Sequence, residues 1–519
     1  MKNKKQIVFI ISILLLTIFY FMYAMTITWD SAHYMSYVNI LERVLPFNQW
    51  DVVRGPVFPV IIHLGNLIFG KTTQGLLINS YIYYITMLFF SYKILNILLE
   101  KNKHMYKIII FTLITIIFNP IIYGYYHILL TEFVGMTLAV VSCYFAYKWL
   151  RCQDDNKKQY IIYGGILILL TILGWFLKQP YVSTALFPLI IAFVIKIFKK
   201  EKLKQKIPAV ITILVCIISL FISIKSWDRI LESKGLDTTG DRNPTNTFGN
   251  SLISSLNCFE ISYGKTYKIK KETNKFLSEE EIKKIKKQIE DEDYTFLVID
   301  IKNKKGEVID REYIDTDQFL STGKSIKFIL KNFILHPILV SNSYIKNYFS
   351  IIDLYVISSG ADASEHIATN KFDITFVNEL GSIGMKPYTY TSNIFYITDE
   401  AYSRVENYEQ FNQAPKLLNY AMIILSKVAI MLFKAIFIIL PFCLILSIIK
   451  RVTTKNNKYD LLIILFGFSF LHVMLHVVSG AIIDRYAMPA YITTYIGIVA
   501  YISLIKKRKV VKIWKKKKH

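Results

Sequence analysis

The chain has 519 residues, 53% of them hydrophobic and 15% aromatic, and a formal net charge of +24. Soluble proteins of this size rarely exceed half apolar, so apolar runs between short basic loops explain the composition better than one large core. The lysines sit at the ends of apolar runs, and no basic stripe carries interleaved aromatics, so the charge reads as membrane topology and argues against a nucleic-acid partner.

Ten apolar runs are long enough to cross a bilayer: about 6–28, 74–98, 107–125, 127–147, 160–177, 180–198, 207–227, 417–449, 459–480 and 486–505. The first begins like a signal peptide, but it is longer than a cleaved apolar region and Tyr23-Ala24-Met25 is a poor cleavage site, so a retained helix is expected. The third and fourth are expected to be separated by a tight turn near Tyr123–Tyr126. The eighth is over-long and contains Pro441, which predicts a tilt, a kink or an interfacial first turn.

Alternate connections (2–5, 100–107, 151–158, 196–206, 450–458 and 506–518) hold nearly all the loop Lys and Arg; the opposite short ones hold few, among them Arg43, Arg54, Lys178 and Arg485. The basic side is therefore expected to be cytoplasmic, with both termini there, in a multi-pass protein of the cell membrane. The expected fold is an all-α polytopic bundle of about ten transmembrane helices with a mixed extracytoplasmic domain. Its parts are an N-terminal membrane module at 1–227, an outer domain at 228–416, and a C-terminal membrane module with a basic tail at 417–519.

Two outer segments are long. In the first, 29–73, Tyr34, Val38, Leu41 and Leu45 have the spacing of an interfacial helix, and 57–69 is a second apolar stretch too short to cross, ending at Gly70. The second, 228–416, is polar. Residues 278–293 predict a solvated helix of i,i+4 Glu–Lys pairs, and 326–349 an amphipathic segment returning to the membrane, broken near His336-Pro337. Of the five cysteines only Cys258 falls on the outer side, and none forms a CxxC pair, which argues against a disulfide framework or a cysteine metal site. No Walker loop, GxSxG or HExxH is present.

Ionisable groups near a bilayer are costly without a partner or a task. Asp30, Arg54, Glu132, Lys178, Asp484 and Arg485 all fall at the outer edge, from four separate loops, and the topology permits them to converge. On the ninth run, His472 and His476 have i,i+4 spacing that puts both rings on one face, suited to a metal pair or, as preferred here, to intramembrane hydrogen bonds lining a cavity.

An acidic residue after the first helix, an amphipathic helix, Arg54-Gly55-Pro56-Val57-Phe58-Pro59 and then Phe69-Gly70 resemble the GT-C superfamily of membrane glycosyltransferases, in its aminoarabinose- and protein-mannosyltransferase branch. Thr131-Glu132, Lys178-Gln179-Pro180, His336-Pro337 and Arg485-Tyr486 with Pro489 resemble further motifs of that branch in the same order. Most of 228–416 matches none of them. The resemblance implies a polyprenyl-phosphate-linked sugar as donor, an extracytoplasmic glycan or protein as acceptor, and an inverting single displacement.

On that footing Asp30 is expected to be the base or to hold the acceptor, beside an ordinary helix-cap role. Lys178 and Arg485 are expected to grip the phosphate, against plain snorkelling at helix ends, and Arg54 to orient Asp30 or the donor. Glu132 is expected to bind the acceptor, or with Asp30 a divalent metal, against a structural pairing with Arg54 or Lys178. No DxD stands in the first outer loop, which argues against metal dependence. His33, Tyr34 and Tyr486 are candidate substrate contacts. A polymerase or ligase using diphosphate-linked oligosaccharides, and a lipid or glycan transporter, stay open as alternatives.

Overall fold

The structure is a computed structural model describing residues 2–22, 29–52, 54–71, 73–100, 102–152, 156–199, 203–236, 238, 259–262, 266–269, 279–280, 283, 298–302, 308–313, 330–352, 416–479 and 484–516. The side chains of Asp30, His33 and Asp484 and the whole of Cys258 lie outside that description. The chain divides into two compact units: Met1–Thr238, Ile352–His472 and Asp484–His519 in the first, Thr239–Ile351 and Val473–Ile483 in the second.

The first unit is helical: α1 (Lys2–Tyr20), α2 (Trp29–Leu41), α3 (Val57–Phe69), α4 (Thr73–Leu99), α5 (Met105–Ile117), α6 (Pro120–Tyr126), α7 (Thr131–Arg151), α8 (Lys157–Leu177), α9 (Ser183–Phe198) and α10 (Leu203–Glu232). Three more helices, numbered α12 to α14 to leave α11 for the second unit, are Lys416–Thr454, Lys458–Ser479 and Met488–Lys516. Among the described residues eight helices are long and apolar enough to cross a membrane, or nine if α5 and α6 make one broken span, as in a multi-pass membrane protein. The expected run 6–28 is represented by α1, whose described apolar stretch, Phe9–Tyr20, is shorter than a crossing.

The expected turn at Tyr123–Tyr126 is not found: those residues are helical. The break lies earlier, where α5 and α6 meet at 57°. Asn119 causes it, because its side chain accepts from the Ile121 and Ile122 amides as an N-cap while Pro120 opens α6. The connection to α7 is instead 127–130, so α7 starts at Thr131 rather than at 127.

Depth orders the helices. In α7 78% of the apolar window is buried and in α10 only 11%, so α7 is the central staff and α10 faces outward. Between apolar helices surrounded by lipid, packing and hydrogen bonds rather than the hydrophobic effect hold neighbours together. Asn119 Nδ2 donates to the Tyr491 hydroxyl at 2.8 Å, and Ser469 pairs with Thr493 at 2.7 Å, tying α6 and α13 to α14. The last carbonyls of α1 are capped from α6 and its following loop: Tyr123 Oη donates to Phe19 O (3.2 Å) and Tyr20 O (3.1 Å), and His127 Nε2 lies 2.9 Å from Tyr20 O.

The expected interfacial helix is α2. It buries Tyr34 and Val38 but also Met35, Tyr37 and Ile40, more than one face. It ends before Arg43, which takes a left-handed φ of 63°. The short stretch is α3, closed by Gly70 at φ 84°. Pro441 is accommodated within the 39-residue α12, of which Lys427–Thr454 is the candidate span.

The described strands of the second unit, β1 (Phe259–Ser262), β2 (Thr266–Ile269), β3 (Val298–Lys302) and β4 (Val308–Tyr313), form a sheet in the order β2-β1-β3-β4. The β1–β3 pair is parallel and the outer pairs antiparallel, with an irregularity at Ile301/Lys302. Of the charged helix expected at 278–293, Glu279, Glu280 and Lys283 are described; they are helical and exposed. The segment expected at 326–349 is present as a helix over 330–335, a bend at His336 and α11 (Pro337–Ile351). Leu330, Phe333, Ile334, Leu335 and Ile338 lie exposed around the bend, and Asn347 Nδ2 donates to Val477 O at 3.5 Å.

Candidate functional site

Three chain segments far apart in sequence meet at one buried point of the first unit. The first is the start of α7. Glu132 stands in the first turn, where the helix N-terminus favours a carboxylate, and it is fully buried. Thr131 Oγ1 donates to its Oε2 at 3.3 Å. Its Oε1 lies 3.6 Å from Arg485 Nε and, among the described residues, accepts no hydrogen bond.

The second segment follows α8. Lys178 is extended (φ −167°, ψ 131°), and Gln179-Pro180 opens a 3₁₀ turn into α9. The third is the turn Asp484–Ala487 that leads into α14. Its Tyr486 ring gathers both cations: Lys178 Nζ lies 4.1 Å and Arg485 Cζ 5.4 Å from the ring centroid. Burial opposes the Lys178 charge, as does Arg485. Tyr486, Glu132 and Tyr34 outweigh them, so the ammonium is held above the ordinary lysine value.

The segment between α1 and α4 adjoins this cluster through Tyr34. Arg54 Nη1 donates to Tyr34 Oη at 3.4 Å and Arg54 Nε lies 3.7 Å from Asp51 Oδ2. Tyr37 Oη donates to the same Asp51 oxygen at 3.5 Å; burial, then the Asp51 charge, push this phenol well above the ordinary tyrosine value and keep it a neutral donor. Trp50 Nε1 donates to Arg54 O at 2.9 Å and fixes the turn. Gly55 lets this loop touch the end of α8, since a Cβ there would stand 2.1 Å from Phe176 O, two residues before Lys178. Gly135, one turn after Glu132, leaves room for the Tyr181 ring, which a Cβ would meet at 3.1 Å.

The structure thus brings Glu132, Lys178, Arg485, Tyr486 and Tyr34 together, with Arg54 one hydrogen bond away. Asp30 is the second residue of α2 and its side chain lies outside the described residues, as does that of His33. The backbone beside Asp30 is located: Ser31 Oγ donates to Leu129 O at 2.7 Å, in the loop that leads to Glu132.

One pairing differs from those expected: Glu132 takes Arg485 as its cation, rather than Arg54 or Lys178. Arg54 meets Asp51, three residues away, and Tyr34 on the facing turn of α2, while the side chain of Asp30, its expected partner, lies outside the described residues. The histidines separate in role. His472 is fully buried, with Nδ1 2.6 Å from Ser183 Oγ and Nε2 2.8 Å from Tyr486 O. His476 is buried too and belongs with the second unit. Among the described residues no group of three His, Cys, Asp or Glu side chains gathers as a metal site. Asp51, Tyr181 and Ser183 were not singled out in the sequence; for Asp51 alone a signal existed, its i,i+3 spacing to Arg54.

Among the described side chains the arrangement offers buried Arg485, half-buried Lys178, one carboxylate and an aromatic face, and it suits an anion whose neighbour is a hydroxyl. No protein-family model matches the chain, and no curated protein and no solved structure matches it significantly.

Proposed function

We propose that this chain is a membrane glycosyltransferase that moves a sugar from a polyprenyl-phosphate carrier to an acceptor outside the cytoplasmic membrane. The observation that carries the reading is the meeting of Lys178 and Arg485 on one Tyr486 ring beside buried Glu132. Snorkelling cations would reach separately to water; these two share one aromatic ring, and Arg485 is buried against Glu132. The order of the GT-C-like motifs supports the same reading, as does the count of apolar helices.

In this reading the acceptor oxygen bonds to the anomeric carbon while the bond from that carbon to the phosphate oxygen breaks. The phosphate leaves with the electron pair, and Lys178 and Arg485 receive its growing charge. A carboxylate takes the acceptor proton: Asp30 is the base and Glu132 holds the acceptor hydroxyl. Arg54 acts through Tyr34. The site faces outward, both termini are cytoplasmic, about ten spans cross the membrane, and the 228–416 segment lies outside and contacts the acceptor.

The test is transfer itself. Purified protein in nanodiscs, given labelled undecaprenyl-phosphate sugars and a cell-envelope extract, is expected to label an acceptor, and Asp30→Asn to abolish labelling while still inserting. Full activity of the Asn variant would remove Asp30 from the mechanism. Movement of the lipid across reconstituted vesicles without sugar transfer would replace the enzyme by a transporter.

A further inference from the structure

We infer that His472 is a positioning residue that sets the spacing of the two cations, a role that rests on the phosphate-binding reading above. His472 touches neither Lys178 nor Arg485 through its hydrogen bonds. It holds the two turns that carry them. On one side its Nδ1 meets Ser183 Oγ at 2.6 Å, at the start of α9 and five residues after Lys178. On the other its Nε2 meets the main-chain carbonyl of Tyr486 at 2.8 Å, next to Arg485 and under the ring that both cations share.

The hydrogen-bond chemistry fixes one end of the ring. A carbonyl only accepts, so Nε2 carries a proton. At the other end Nδ1 pairs with the Ser183 hydroxyl, which also donates to Pro180 O at 2.6 Å in its own turn. The imidazole thus bridges two elements through its two ring nitrogens. The ring is also fixed sideways, lying against Tyr181 (centroids 6.4 Å, 27°) and Phe468 (5.4 Å). Residue types that bond at only one end cannot hold both turns. Glutamine reaches the Tyr486 carbonyl from the Nε2 position; asparagine reaches Ser183 from the Nδ1 position; leucine reaches neither.

The probe is undecaprenyl phosphate, titrated onto the full-length protein in detergent and followed by native mass spectrometry, with thermal melting measured on the same samples. His472→Leu is expected to weaken binding about tenfold or more, as loss of a buried hydrogen bond implies. His472→Gln, which keeps the bond to the Tyr486 turn and loses the one to Ser183, is expected to fall between wild type and His472→Leu, as is Ser183→Ala. A merely structural histidine predicts that affinity follows melting temperature and not side-chain type, so equal affinities for the Gln and Leu variants would overturn the role. Lys178→Ala separates this failure from that of the underlying reading. If it binds undecaprenyl phosphate as wild type does, phosphate binding at this cluster falls; if it loses binding while His472→Leu does not, only the bridge falls.

Discussion

Two buried ion pairs in the first unit invite comparison. Asp460 and Glu132 are both fully buried, both stand in the first turn of a helix, and each keeps one oxygen that accepts no hydrogen bond among the described residues. Burial and an idle oxygen therefore do not tell a functional carboxylate from a structural one. The partners do. Asp460 is bonded directly by Arg451 Nε, whose Nη2 also reaches Asn457 Oδ1 at 3.2 Å, and this closes the short turn between α12 and α13. Lys458 fastens the turn to Leu98 O at 2.9 Å, and the Arg451 side chain is 21% exposed. Glu132 has a looser pair at 3.6 Å, with a cation from the opposite end of the chain whose side chain is 7% exposed and with Lys178 beside it. A local, hydrogen-bonded pair with a solvated cation is a clasp. In the proposed function, a distant, loose pair with a second cation in surplus among the described side chains is positive charge awaiting an anion.

The largest expected effect falls on the surplus. Lys178→Ala or Arg485→Ala should lower sugar transfer by about a hundredfold or more, the scale seen when a charge-stabilising group is removed from a reacting site. Arg485→Ala also leaves Glu132 buried without its cation, so it should lose stability, and adding Glu132→Gln should restore the melting temperature but not transfer. Transfer restored with the fold would make this pair a second clasp and end the comparison. The clasp itself should respond in the opposite way. Asp460→Ala is expected to destabilise by about 3–5 kcal/mol in a detergent unfolding assay, while the folded fraction keeps its specific transfer activity.

The features legible in the sequence are those that a bilayer makes expensive. Apolar runs, Glu132, Lys178 and Arg485 stand out because ionisable residues at the ends of such runs need a reason. The His336-Pro337 break and the Gly70 stop follow from backbone chemistry and appear in the structure. The α5–α6 break was written just as plainly in Asn119-Pro120, an N-cap followed by a proline at N1, yet continuous apolarity masked it. Partner choice was not legible. Which cation Glu132 takes depends on which loops tertiary packing places beside α7. Ser183 and Tyr181 look like any residues at a helix start until His472 and Glu132 are seen against them. The strands of the second unit are short, and beyond a mixed domain neither they nor their pairing was read from the sequence.

The smallest effect should come from the Arg54 turn, which adjoins the site through Tyr34. Gly55 is pressed against Phe176 O, where a Cβ would stand 2.1 Å away, and the neighbour is main chain at the end of a helix rather than a pliant side chain. Gly55→Ala therefore has to move the Arg54 turn, α8 or both, at about 1–3 kcal/mol, the usual scale for overpacking. The turn is the weaker party, since Arg54–Pro56 are non-helical while Phe176 lies within α8. Its displacement carries Arg54 away from Tyr34 but leaves Lys178, Arg485 and Glu132 in register. The expected signature is a raised KM for the lipid donor, by about threefold to tenfold, with kcat little changed. A fall in kcat matching that of Arg485→Ala would mean that the first loop shares the charge-bearing role, and that the surplus extends to Arg54 despite its pairing with Asp51.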